Sequence, residues 1–217
     1  MFEPRMDQAA GLRHLFAPPM PALLPLGCAR ADERDRACAS ALAAALRRHG
    51  RRPLLLDLTG EGGHGLLGAE GAFDDLADLA FSLHRGRAAA GRACDVLLVF
   101  ADPLRLADLV AGTTDRLLLL ADADEASLAH VYAQIKAVGL AHGLTRQVVA
   151  FRDTNPGRAL AAHRRLADTA TRFLGTTIEF GGAVSAIAEG ALAWDRLAAD
   201  ACRWIRPVEQ RVSKHPN

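Results

Sequence analysis

The sequence predicts an α/β fold: a doubly wound, mostly parallel sheet flanked by helices on both faces. Short runs rich in Leu and Val alternate with longer helical patterns along the 217 residues. These runs are apolar at nearly every position, as expected of strands that helices cover on both faces. With 50% hydrophobic but only 5% aromatic residues, the composition favours helices packed on a sheet over a β-sandwich. Alternation of strand and helix through short connections implies right-handed crossovers.

The strands are predicted mainly from short runs of apolar residues. Pro25 weakens the first of them and suggests an altered strand end, because proline cannot donate to a ladder. The second begins at Pro53 and is a stronger run of leucines. The predicted strands are residues 22–27, 53–58, 95–101, 116–121, 147–151 and 177–180.

Helices are predicted between these strands. The first covers residues 34–49 and is closed by Gly50 in the position after the last helical residue. Two others are predicted at about residues 125–142 and 156–174. In the former, apolar side chains recur at three- and four-residue spacing and form an amphipathic stripe. The stripe consists of Leu128, Val131, Tyr132, Ile135 and Val138.

The length fits one domain with a short appendage at each end. Residues 1–20 are predicted to be an N-terminal partner-binding segment with a Pro-rich linker, residues 21–190 the domain body, and residues 191–217 a C-terminal amphipathic helix and tail. The prolines of the linker favour a segment that is detached from the body.

Charge and cysteine usage narrow the class of protein. The formal net charge is +1, so no global attraction to nucleic acid or anionic lipid is expected. The four cysteines are scattered without a C-x-x-C pair, which is typical of reduced thiols in a cytoplasmic protein. No apolar run approaches the roughly 20 residues that span a bilayer. No cluster of His, Cys or Glu has the spacing of metal ligands, and no metal is expected.

Several blocks of the sequence occur in the order and spacing of a known family. The opening D-Q-A-A-G-L-R of residues 7–13 is the most specific of them. The others are residues 42–57, 66–68, 130–144 and 172–184. Together they resemble FlhG (also called FleN), a family of bacterial flagellar-number regulators within the MinD/ParA superfamily of deviant-Walker ATPases. The resemblance covers most of residues 7–184 and implies a MinD-like P-loop fold.

The sequence departs from this family at the phosphate loop. Residues 28–36, C-A-R-A-D-E-R-D-R, occupy the place of S-G-K-G-G-x-G-K-T. A working loop needs glycines for close backbone approach, a lysine for the phosphates and a hydroxyl for Mg²⁺. Here Asp35 stands at the lysine position and Arg36 at the hydroxyl position. The positions of the glycines carry Ala29, Ala31, Asp32 and Arg34.

Other nucleotide-binding positions are also altered. Arg30 is the only counterpart of the deviant lysine, and Phe100 stands where the second Walker acid is expected. No asparagine in residues 148–153 matches the family's adenine-binding residue. Asp57 alone remains of the Mg²⁺-linked acids. We therefore expect a pseudo-ATPase, without catalytic residues and without a cofactor.

In the family, the N-terminal segment stimulates FlhF, a GTPase of the signal-recognition type. The resemblance implies that Gln8 is the functional tip, that Asp7 and Arg13 are polar anchors, and that an apolar face docks onto the partner. The alternative is a surface helix folded back onto the domain. The apolar docking face consists of Leu12, Leu15 and Phe16.

The C-terminal helix, residues 191–205, is amphipathic. Trp194, Leu197 and Ile205 share its apolar face, whereas the polar face mixes acids with bases. A lipid-binding helix is usually basic. Packing against the domain or a partner is therefore the favoured interpretation, and membrane contact is the weaker alternative.

These observations predict a regulatory protein that binds FlhF, and through it affects flagellar number or placement, with other flagellar components as further candidate partners. Its expected location is the cytoplasm, with a peripheral position at the inner membrane or cell pole as an alternative. Nucleic acid is not an expected partner. Two other functions remain open: a scaffold or regulator in another MinD-like system, such as polysaccharide secretion or partition, and a residual ATPase with an atypical site.

Overall fold

The computed structural model describes residues 21–28, 32–59, 94–110, 113–185 and 191–205. In this part of the chain it contains six strands and five helices. The strands are β1 (Ala22–Gly27), β2 (Pro53–Asp57), β3 (Val96–Ala101), β4 (Arg116–Ala121), β5 (Arg146–Arg152) and β6 (Thr177–Val184). The helices are α1 (Glu33–Arg48), α2 (Pro103–Val110), α3 (Glu125–His142), α4 (Pro156–Leu174) and α5 (Ala191–Trp204).

The six strands form one parallel sheet in the order β2-β3-β1-β4-β5-β6. Two cores lie on its opposite faces. Helices α1 and α5 pack on one face, where the core includes Leu42, Phe100 and Trp194. Helices α2, α3 and α4 pack on the other, where the core includes Leu106 and Val131. The doubly wound α/β fold predicted from the sequence is thus confirmed.

Pro25 lies in the middle of β1 and does not interrupt its pairing with β3. Ala22 N–H donates to Asp95 O and Cys28 N–H donates to Ala101 O, so the even-numbered residues of β1 donate toward β3. Pro25 therefore faces β4. The described pairing between β1 and β4 involves only Leu26 and Gly27. The missing N–H of the proline therefore lies on the β4 side, and the pairing of β1 with β3 stays continuous.

Local sequence signals define the helix ends. Asp32, Asp124 and Asn155 are the N-caps of α1, α3 and α4, and each side chain accepts a hydrogen bond from a backbone N–H three residues on. Gly143 and Gly175 end α3 and α4 in the left-handed conformation, with φ of 67° and 64°.

Helix α2 was not among the sequence-based predictions. Asp102 initiates it, because its carboxylate accepts the Leu104 N–H at 2.9 Å, and Pro103 occupies the first helical position. With only eight residues, the helix is too short for a clear periodic stripe. Its buried side chains include Leu106, Ala107 and Val110.

Strand β6 continues beyond the predicted end at Phe180. A β-bulge opposite Val149 and Ala150 accommodates the extra residue, and Gly182 adopts φ of 100° there. A Cβ at Gly181 would lie 3.1 Å from Ala150 Cβ and from the backbone of β5. The two glycines thus let the strand continue through the bulge.

The apolar face of α5 packs within the domain. Trp194 and Leu197 are 2% and 1% exposed, and they lie in the core shared with α1. Ile205, just past the helix end, is half-buried against the same core. Trp194 and Leu197 are therefore packed in the core of the domain and are not exposed to lipid or to a partner. None of the described helices is long and apolar enough to cross a membrane.

Candidate functional site at the carboxyl edge of the sheet

The carboxyl ends of β1, β4 and β5 meet at the point where the chain changes sides of the sheet. From β1 the chain leads into α1 on one face, and from β4 it leads into α3 on the other. Open parallel sheets bind their ligands at such a switch point. Four charged side chains converge there: Asp32, Asp35, Asp122 and Arg152.

Arg152, the last residue of β5, is the centre of this group and is only 5% exposed. Its Nε and Nη2 donate to the two carboxylate oxygens of Asp122 at 3.1 and 2.8 Å. Its Nη1 donates to Asp35 Oδ1 and lies 3.5 Å from Asp32 Oδ1. The guanidinium thus forms a bidentate ion pair with Asp122, and its Nη1 forms ion pairs with Asp35 and Asp32.

The elements explain why these groups meet. Asp32 caps α1, and Asp35 lies in the first turn of that helix with 1% exposure. Asp122 immediately follows β4. A carboxylate as deeply buried as that of Asp35 requires a charged partner, and Arg152 supplies one.

The ion pairs shift the pKa values of Arg152 and Asp32 in the directions that favour their charged forms. Burial lowers the pKa of Arg152, but Asp35, Asp122 and Asp32 outweigh that effect and raise it above its ordinary value. Burial raises the pKa of Asp32, but the Asp35 N–H, Arg152 and Arg34 outweigh it and lower this pKa below its ordinary value.

A second, more exposed group lies beside the first. Arg36 Nε donates to Asp57 Oδ2 at 3.0 Å, and Arg36 Nη2 donates to Thr59 Oγ1 at 3.2 Å. Asp57 Oδ1 accepts the backbone N–H and the hydroxyl of Thr59 at 2.9 and 2.5 Å. Burial raises the pKa of Asp57, but the bonds from Thr59 and Arg36 lower it overall.

The carboxylate of Asp32 caps the N-terminus of α1. Asp32 Oδ1 accepts the Asp35 N–H at 2.9 Å, and the Asp32 carbonyl accepts the Arg36 N–H at 3.1 Å. Free N–H groups at a helix N-terminus are what commonly bind phosphate. Here the cap side chain already accepts one of them, and Glu33 and Asp35 add negative charge to the first turn.

The structure brings most of the predicted nucleotide-site residues together. Asp32, Asp35, Arg36 and Asp57 surround the start of α1, and Arg34 lies 3.5 Å from Asp32. Within the described ranges, no group of three His, Cys, Asp or Glu could hold a metal ion. Arg30 and the predicted partner-binding residues lie outside the described residues; the latter are Asp7, Gln8, Leu12, Arg13, Leu15 and Phe16.

Phe100 requires a correction. Its side chain is 1% exposed and belongs to the core under α1 and α5, so it does not line the carboxyl edge. It stands in the middle of a parallel sheet, where successive side chains alternate between the two faces. The sequence position suggested a place in the nucleotide site, but the strand's register directs this ring into the core.

Arg152 and Asp122 were missed by the sequence analysis. Each is a charged residue at the end of a predicted apolar strand. Because the carboxyl ends of parallel strands share one edge of the sheet, this placement was a usable signal. What the sequence could not indicate is that Arg152 reaches back to Asp35, 117 residues earlier in the chain.

No family model and no curated protein matches the sequence. Solved structures do match the fold. The MinC:MinD cell division protein complex of Aquifex aeolicus aligns with a TM-score of 0.52 at 11% identity, over 87% of this chain and 98% of that chain. MinD of the same organism aligns with a TM-score of 0.49 at 11% identity, over 87% and 99% of the two chains. Cobyrinic acid a,c-diamide synthase from Mycobacterium smegmatis aligns with a TM-score of 0.45 at 17% identity, over 88% of this chain and 99% of that chain. The alignment with the MinC:MinD complex shows that the chain has the MinD-like α/β fold.

Proposed function

We propose that this chain is a non-hydrolysing regulatory protein of the FlhG type, which binds the GTPase FlhF through residues 7–16 and thereby affects flagellar number or placement. One observation carries the proposal: side chains of the chain itself engage the positions that would hold ATP and Mg²⁺. Asp35, at the lysine position, is paired with Arg152, and Arg36, at the hydroxyl position, is paired with Asp57.

The arrangement opposes a triphosphate. Phosphate oxygens approaching α1 would meet the carboxylates of Asp32 and Glu33 with no lysine in between. Two unit charges about 4 Å apart interact by roughly 4 kcal/mol at the effective dielectric of a protein surface. The cation of Arg152 cannot compensate, because it is buried and already forms ion pairs with three carboxylates.

The arrangement also opposes Mg²⁺. Asp57 is the one acid that the resemblance assigns to the metal, and its two oxygens accept bonds from Arg36 and Thr59. An arginine at this place contributes a fixed positive charge and only hydrogen-bond donors, so it cannot be a metal ligand.

The choice of FlhF as partner is supported by the D-Q-A-A-G-L-R opening. Gln8 would reach the GTPase centre, and Leu12, Leu15 and Phe16 would form the docking face. The proposed location is the cytoplasm, with recruitment to the inner membrane or cell pole through FlhF. A scaffold in another MinD-like system is the competing proposal, and it does not require residues 7–16.

The test measures GTP hydrolysis by FlhF alone and with this chain, each with and without Mg-ATP. We expect stimulation that is independent of ATP. Gln8→Ala should reduce the stimulation at least about tenfold, as expected on removing a positioned catalytic group. Gln134→Ala, a change of the same chemistry on α3, should leave it intact.

Two results would overturn parts of the proposal. Absence of both stimulation and FlhF binding would remove FlhF as the partner. A rise in the melting temperature of this chain with Mg-ATP would show nucleotide binding to the native state and contradict the pseudo-ATPase interpretation.

A further inference from the structure

The polar contacts at the carboxyl edge extend beyond Arg152 to the next loop and to α5. Asp153, the following residue, has φ of 46°, and its Oδ1 accepts the Ser185 hydroxyl at 2.9 Å. The Asp153 N–H donates to Val184 O at the end of β6. The Ser185 carbonyl in turn accepts the indole N–H of Trp194 at 2.6 Å.

The segments that follow four strands are therefore joined in one series of contacts. Asp32 and Asp35 follow β1, Asp122 follows β4, and Ser185 follows β6. The pair of residues Arg152 and Asp153, at the end of β5, connects all of them. The series begins in α1 and ends in α5, the two helices that cover the same face of the sheet.

We infer that this series is an internal clamp, which keeps the loops at the carboxyl edge together without any bound ligand. The physical reason lies in the burial of Arg152. Moving α1 away from β5, or the loop after β4 away from it, would separate a guanidinium that is 5% exposed from a carboxylate. Breaking one side of a buried ion pair leaves an uncompensated charge and is strongly unfavourable.

Hydrogen exchange of the backbone amides, compared between the loops and the sheet, distinguishes a clamp from an ion pair that only adds to global stability. A clamp holds only the loops that it connects, so its loss should raise fluctuations there and leave the centre of the sheet protected. A pair that stabilises the whole fold would change the exchange of all core amides together.

The experiment is hydrogen–deuterium exchange of the full chain, without nucleotide or partner, for the wild type, Arg152→Met and Arg48→Met. Arg48 forms an exposed ion pair with Asp195 at 2.8 Å, which connects α1 and α5. Arg48→Met is therefore the matched control, because it also removes one ion-paired arginine. In Arg152→Met, we expect exchange of the amides of residues 35–37 and 127–128 to accelerate at least about tenfold. The amides of β3 should keep their wild-type rates, and Arg48→Met should leave both regions unchanged.

Asp122→Asn provides a second variant should Arg152→Met fail to fold. It removes charge from a side chain that is 22% exposed and keeps similar volume. Asp122→Asn should accelerate hydrogen exchange of the amides of residues 127–128 more than that of the amides of β3. Unchanged exchange in both variants, or a uniform increase over all elements, would overturn the clamp. Neither result bears on FlhF binding, since the experiment contains no partner.

Discussion

Asp35 stands where the resemblance places the phosphate-loop lysine, and its carboxylate is turned toward Arg152 instead. Arg36, at the position that the resemblance assigns to a hydroxyl, bonds Asp57. Both charged side chains thus have a partner of opposite charge inside the chain. For the buried carboxylate of Asp35, this partner avoids the penalty of an unpaired buried charge.

The hydrogen bonds of Asp57 with Thr59, together with its ion pair with Arg36, make stability depend on pH. Its pKa is lower in the folded chain than the ordinary value of 3.8, so the folded form binds its proton less readily than the unfolded form. The stabilisation is therefore present above that ordinary value and is lost as pH falls through the lower, folded pKa. Urea unfolding midpoints should decrease between about pH 5 and about pH 2, and Asp57→Asn should reduce this decrease.

The control for this measurement is Asp168→Asn, which neutralises an exposed acid on α4. A decrease in midpoint that is identical in wild type and Asp57→Asn would show that the interactions of Asp57 with Thr59 and Arg36 contribute nothing to the acid sensitivity.

Among the secondary-structure elements, α5 shows that an amphipathic pattern is compatible with packing against the domain, a partner or a membrane. Its stripe predicted an apolar face but not what that face contacts. The structure shows that the face packs with α1 above the sheet, where Trp194 is 2% exposed. Its opposite side remains accessible, with Leu192 at 74% exposure. A pattern thus identifies a buried side, and the neighbouring elements decide its partner.

Substitutions on the two sides of α5 should differ strongly in their effect on stability. Trp194→Ala removes a large buried side chain and its hydrogen bond to Ser185, so we expect a loss of about 3–5 kcal/mol in the free energy of unfolding. Leu192→Ala, two residues away, should change it by less than about 0.5 kcal/mol.

Urea denaturation of the purified full chain measures both effects. Trp194→Phe, which keeps an aromatic ring, gives a milder variant if Trp194→Ala does not fold. Equal and small effects on the two sides of the helix would contradict the packing of α5 on the domain.

At the scale of the whole molecule, the core under α1 and α5 joins α5 to the sheet. Residues of α5 and α1 belong to the same cluster as strands β1, β3, β4 and β5. The sequence had suggested that the domain body ends at residue 190 and that a helix and tail follow. The packing joins that helix to the body, because its apolar face is buried in the common core.

Both tryptophans of the chain, Trp194 and Trp204, lie in α5. Their fluorescence therefore reports on this helix, whereas far-UV circular dichroism reports on all helices and the sheet. We expect the two signals to give the same urea midpoint, as in the cooperative unfolding of a single unit. A fluorescence transition at lower urea would show that α5 unfolds separately.

The sequence by itself determined the fold class and most element positions, because these depend on local patterns such as apolar runs and helical spacing. Through the resemblance, it also predicted which side chains stand at the positions of a phosphate loop. The tertiary structure alone decided their partners. Arg152 meets Asp35 across 117 residues, and Phe100 points into the core rather than the edge. Such outcomes depend on strand order and register, which bring together side chains that no local pattern relates.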